Sequence, residues 1–157
     1  MLHVFDALPE GFLEIAARDL HTLLPGPSLI HLPGRRVEPL FVSILLHGNE
    51  DTGLMAMQAV LDKYRKKPLP RALSLLVGNI AAARENLRRL SGQPDYNRVW
   101  PGSEDAGTPE HAAMQEVVAA MRERNVFASI DIHNNTGLNP HYACVNRLDD
   151  ATLHLAT

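Results

Sequence analysis

The chain has 157 residues, 45% of them apolar and 21% charged, with a formal net charge of −3. A domain of this length can hide roughly two-thirds of the surface its unfolded chain exposes, so a hydrophobic core is expected and the disordered and collagen-like classes are excluded. Cations are dispersed apart from Lys63-Tyr-Arg-Lys-Lys67, which leaves no electrostatic footprint for nucleic acid, and no apolar run approaches the ~18 residues of a bilayer span.

Asp6, Glu10, Glu14 and Asp19 speak against a secretory signal in the first twenty residues, so a cytoplasmic chain with no nucleic-acid or membrane partner is expected. Apolar positions at helical spacing (Phe12, Ile15, Ala16, Leu20, Leu23, Leu24) predict a helix over 9–24, stopped by Pro25-Gly-Pro27. Leu29-Ile-His-Leu32 reads as a short strand. Leu40-Phe-Val-Ser-Ile-Leu-Leu46 is nearly continuous apolar sequence of strand length, the pattern of a strand buried on both faces. A helix is predicted over 51–66 with Leu54, Met57, Val60 and Leu61 inward, followed by a buried strand, Ala72–Val77, that ends at Gly78-Asn79. A Pro/Gly-rich loop over 91–109 leads to a helix over 110–124 and a last strand over 126–132. The single cysteine, Cys144, lies in His-Tyr-Ala-Cys-Val, a context that predicts a buried, inert thiol. Alternation of helices with such apolar strands indicates an α/β fold: a mixed, largely parallel sheet with helices on both faces.

In open α/β sheets ligands bind beyond the carboxyl ends of the strands, where loops converge. Three polar groups occupy such ends: His47-Gly-Asn-Glu50, Asn79, and His133-Asn-Asn-Thr-Gly137. His-x-x-Glu is weak alone, because eight His and nine Glu in a chain this long generate roughly half such a pair by chance. Its place after a buried strand strengthens it, and Gly48-Asn49 lets the backbone turn tightly enough for both side chains to reach one ion. His133 supplies a third ligand from another strand end. Two His and one Glu around an open position form a catalytic zinc set. Asp131, two residues earlier, is placed to orient His133. By spacing alone a plainer reading also stands, in which the histidines bond only to backbone and Glu50-Asp51 favours a helix start. The other histidines have no partner at chelating spacing.

Three ordered blocks carry a resemblance: Leu46-His-Gly-Asn-Glu-Asp-Thr-Gly53, Asp95-Tyr-Asn-Arg98 and Asp131-Ile-His-Asn-Asn-Thr136. They are similar to the motifs of the succinylglutamate desuccinylase/aspartoacylase family, a branch of the zinc carboxypeptidase-like enzymes, and cover about residues 40–137. The resemblance implies one zinc ion per chain, held by His47, Glu50 and His133. It further implies that Asn97 and Arg98 hold a small-molecule carboxylate substrate, and that Arg89, with Arg88 adjoining it, polarises the scissile carbonyl.

Two departures bear on function. His133-Asn-Asn-Thr replaces the usual His-Asn-Thr-Thr, and Asn97-Arg-Val-Trp-Pro-Gly102 is closer to the carboxypeptidase side of the superfamily. The family's general-base glutamate lies on a strand well downstream of the third ligand, so residues 1–157 are expected to be the amino-terminal part of the catalytic domain. The expected activity of the whole is zinc-dependent hydrolysis of an N-acyl amino acid. The alternatives are a zinc carboxypeptidase acting on peptides and a non-catalytic metal-binding module. An uncovered sheet edge makes homo-oligomerisation a further expectation.

Overall fold

The computed structural model describes residues 1–104, 106–135 and 137–157; Asp105, in the predicted loop, and Thr136, the end of the third motif block, lie outside the described residues. Among the described residues, β1 (His3–Phe5), β2 (Ser28–Leu32), β3 (Gly34–Ile44), β4 (Leu69–Val77) and β5 (Ala128–Asp131) form one sheet in the order β1-β2-β4-β3-β5. β1 with β2, β3 with β4 and β3 with β5 pair in parallel, whereas β2 and β4 are antiparallel. The mixed, largely parallel sheet expected from the strand composition is therefore present.

Helices α1 (Thr52–Asp62), α2 (Ile80–Arg84), α3 (Pro109–Glu123) and α4 (Asp150–Ala156) and a 3-10 helix over Ala17–Thr22 complete the regular structure among the described residues. Strand alternation explains why apolar residues run on without interruption. On one face Ile30, Val42, Ile44, Leu75 and Val77 pack with Leu54, Met57 and Leu61 of α1 and with Ile80 and Ala83 of α2. On the other, Leu29, Phe41 and Leu76 pack with Ala113, Met114 and Val117 of α3. Burying both faces of β2, β3 and β4 removes any need for a polar side. Thr108 starts α3 by accepting a hydrogen bond from the His111 backbone N–H, with Pro109 in the first turn.

The amino-terminal segment differs from its prediction: within 9–24 only Ala17–Thr22 is helical, as a 3-10 turn. Gly11 sits at φ 83°, a left-handed conformation that breaks the helix early, yet Phe12, Leu20 and Leu24 are still fully buried. Their spacing records burial along one side of a folded-over loop rather than helical turns. In α1, Leu54, Met57 and Leu61 point inward as expected, but Val60 is 42% exposed. The helix also ends at Asp62, where Tyr64, Arg65 and Lys67 close successive turns onto residues three positions earlier. Cys144 is exposed rather than buried, because its surrounding segment packs against neither core cluster. No described helix is long and apolar enough to cross a membrane.

Candidate metal centre

β3 ends two residues earlier than its apolar run because Leu45 takes a left-handed conformation, φ 53°. This conformation is costly for a side chain with a Cβ and persists only where surroundings impose it. Here Leu45 is fully buried, and the Asn79 backbone N–H donates to its carbonyl at 2.7 Å. The bend directs the chain out of the sheet into His47-Gly-Asn-Glu50. Gly48 then passes so close to α2 that an added Cβ would lie 2.2 Å from the Ala83 nitrogen and 2.3 Å from the Ala82 carbonyl carbon. Glycine is required there for close approach, and the Gly48 N–H donates to the Arg88 carbonyl at 3.1 Å.

His133 reaches the same place from β5. Ser43 of β3 pairs with Asp131 of β5, and the Ile132 N–H extends that ladder to the Ser43 carbonyl, so the two chains leave the sheet side by side. His47 Nδ1 lies 2.8 Å from Glu50 Oε1, and His133 Nδ1 lies 2.7 Å from Glu50 Oε2. One ligand atom from each of the three side chains falls within 4.8 Å of the others.

The opposite ring nitrogens are also engaged. His47 Nε2 is 3.0 Å from Asp95 Oδ1, and His133 Nε2 is 2.6 Å from Asp131 Oδ2. Each imidazole thus has a carboxylate on its far side, the arrangement that fixes ring orientation and raises ligand basicity in metal sites. Asp131 is held in turn by the Ser43 hydroxyl at 2.7 Å, and Asp95 accepts the Asn97 N–H at 2.9 Å. Two nitrogens and a carboxylate, pre-oriented from behind, fit a borderline-soft divalent ion such as zinc.

Charge shifts follow from these contacts. The hydrogen bond that His133 donates to Asp131, set against partial burial and joined by the one to Glu50, raises His133 to about 9. Burial works against ionisation of Asp95, but the Asn97 N–H, His47 and the Arg88 guanidinium outweigh it and bring the carboxyl down to about 2.

Arg88 also belongs to the cluster. Its Nη1 donates to Glu50 Oε1 at 3.2 Å and its Nη2 to Asp95 Oδ2 at 3.3 Å. Arg89 is turned elsewhere, donating to the Gln93 carbonyl at 2.8 Å. Among the described residues, the buried Asn97 Oδ1 has no hydrogen-bond partner, and the exposed Arg98 donates to the Asn97 carbonyl at 3.3 Å. Asn79, a strand-end residue, serves as scaffold: it caps α2 through the Ala82 N–H and donates to Gln93 Oε1, which steadies the loop carrying Arg88 and Asp95. The sequence alone assigns Ser43 and Asp95 no individual role. The available signals were a lone hydroxyl in a strand buried on both faces and an acid two residues before Asn97.

The model of the succinylglutamate desuccinylase/aspartoacylase catalytic domain matches residues 38–156. The chain belongs to this family. Its hydrolytic deacylases provide the context for the His47, Glu50 and His133 cluster. Among solved structures, a succinylglutamate desuccinylase from Chromobacterium violaceum aligns with a TM-score of 0.52 at 23% identity over 63% of this chain and 34% of that one. Another from Vibrio parahaemolyticus aligns with a TM-score of 0.55 at 16% identity over 70% of this chain and 40% of that one. At these identities the likeness is one of fold, and this desuccinylase/aspartoacylase-family chain spans well under half of either structure. No curated protein matches it.

Proposed function

We propose that this chain provides the metal-binding part of a zinc-dependent hydrolase that cleaves the amide bond of an N-acyl amino acid. The observation that carries the reading is the convergence of His47 Nδ1 and His133 Nδ1 on Glu50, with Asp95 and Asp131 behind the two rings. His47, Glu50 and His133 would hold the zinc, which would supply a Lewis acid for the scissile carbonyl and lower the pKa of a bound water toward about 7.

The chain's own residues position the substrate. Arg98 offers an exposed guanidinium fork and Asn97 an amide beside it, a pair suited to clamping a substrate carboxylate and converting binding into orientation. A second guanidinium at the scissile carbonyl stabilises the developing oxyanion, a role the resemblance gives to Arg89. Proton transfer needs a carboxylate with a free oxygen. Glu50, Asp95 and Asp131 are each committed to histidine or arginine contacts, so none of the three has a free oxygen for that role. For this chain the reading gives stoichiometric zinc held by His47, Glu50 and His133.

Metal analysis of purified protein beside His47→Ala tests the site. Wild-type protein without stoichiometric zinc defeats the proposal. With a full-length version, preference for N-acyl amino acids over short peptides supports the deacylase; the reverse preference makes it a carboxypeptidase. Zinc binding with no turnover of either class leaves a non-catalytic metal-binding module.

A further inference from the structure

Arg88 occupies an unusual position for a residue beside a cation site. Its guanidinium reaches from Glu50 Oε1 at 3.2 Å to Asp95 Oδ2 at 3.3 Å, touching both a prospective ligand and the carboxylate behind another. Both carboxylates also engage His47: Glu50 Oε1 meets its Nδ1, and Asp95 Oδ1 meets its Nε2. Arg88 therefore neutralises the acids around His47 and stands where positive charge is required. A divalent ion on Glu50 draws on the same carboxylate, and two cations on one side repel each other.

The position is reversible by construction. The Arg88 side chain is 53% exposed, whereas those of Glu50 and His47 are 9% and 3% exposed. The ligands are fixed in the fold, and the guanidinium can swing into water with its charge well solvated. Its backbone remains anchored meanwhile, because the Arg88 carbonyl accepts the Gly48 N–H. On the other side of the carboxylate, Glu50 Oε2 meets the His133 ring and the Asn134 N–H.

We infer that Arg88 and the metal ion compete for Glu50, so that Arg88 lowers and thereby sets the affinity with which the cluster takes zinc. The inference rests on the zinc reading proposed above. In the metal-free chain Arg88 keeps the carboxylates of Glu50 and Asp95 together; on loading it leaves Glu50 and retains at most Asp95. A residue that merely supported the site would do the opposite, since removing a supporting partner weakens binding, commonly about 10–100-fold.

Zinc titration against a chromophoric chelator separates the possibilities, using wild type, Arg88→Ala, Arg89→Ala and His47→Ala, with circular dichroism to verify folding. Arg88→Ala is expected to bind zinc about tenfold more tightly, the scale of one water-screened charge acting on a divalent ion. It should also melt earlier than wild type when metal-free, because Glu50 and Asp95 lose their counter-cation. Arg89→Ala should leave zinc affinity near wild type. If Arg88→Ala does not fold, Arg88→Gln, which keeps an uncharged donor, carries the same expectation. Unchanged or weaker zinc binding by the folded Arg88 variant, with wild type binding normally, overturns this inference and leaves the zinc reading intact. Wild-type protein that takes no zinc overturns both.

Discussion

His133 Nδ1 stands 2.7 Å from Glu50 Oε2 although 83 positions separate the two residues in the chain. Parallel pairing of β3 with β5 makes the contact, since two strands running the same way deliver their following residues to the same end of the sheet. Glu50 serves as the hub of that end, also meeting His47, Arg88 and the Asn134 N–H.

Glu50→Ala should abolish stoichiometric zinc and destabilise the metal-free chain by about 2–3 kcal/mol, because several donors lose one largely buried acceptor together. Urea unfolding in the presence of chelator gives the stability term, and metal analysis gives the zinc content. Retention of one tightly bound zinc by this variant would remove Glu50 from the ligand set.

The pH dependence follows from His133, raised from an ordinary 6.5 to about 9 by Asp131 and Glu50. A raised histidine stabilises the fold fully below its unfolded value and loses that contribution as pH rises through the folded one. The metal-free chain should therefore lose stability between pH 6.5 and about 9, a slope that His133→Asn flattens. Loading zinc requires a neutral ring, so apparent zinc affinity should climb over the same window and then level off. Melting curves and zinc titrations across that range, with chelator correction, check both slopes; an affinity independent of pH would contradict the assignment.

Asp95 and Asp131 should each matter to zinc without touching it. Asp95→Asn and Asp131→Asn are expected to weaken zinc binding about 10–100-fold, through less basic and less firmly oriented imidazoles. Asp95 adds an acid-side signature. Its carboxyl falls from 3.8 to about 2, so its stabilisation is present above 3.8 and disappears as pH drops toward 2. Acid unfolding of Asp95→Asn should accordingly begin at higher pH than that of wild type. Equal zinc affinity in wild type and both variants would mean that the rings are held by other contacts.

Gly48→Ala is expected to be among the most damaging single-methyl additions. The new Cβ would meet main-chain atoms of Ala82, Ala83 and Leu87 at 2.2–2.7 Å, none of which is a flexible side-chain end. A cost of about 3 kcal/mol or more is expected, together with loss of zinc as His47 is pushed from its position. Denaturant midpoints and metal content measure the two effects. A variant of wild-type stability would show that α2 can yield.

The three metal candidates could be read in advance because each follows a strand whose apolar run is unmistakable, and strand ends in an α/β sheet are where polar side chains converge. The same logic located the sheet, its largely parallel character and helices α1 and α3, whose inward positions repeat at helical spacing. It misled at 9–24, where a loop folded over the core buries Phe12, Leu20 and Leu24 with a helix-like period. Burial periodicity records which side faces apolar surroundings, and more than one backbone path can produce it.

The roles of Arg88, Ser43 and Asp95 lay beyond sequence reasoning. Choosing between adjacent arginines depends on the direction in which a loop turns, and that is set by Asn79 holding Gln93, a contact between side chains fourteen positions apart. Ser43 and Asp131 meet only through strand register, 88 positions apart. Local sequence determined which residue types stand at the strand ends, because hydrophobic patterning and turn chemistry act over a few residues. Only the tertiary structure decided which of them share a hydrogen bond: that depends on register, on the left-handed turn at Leu45, and on the space left by the missing Cβ at Gly48.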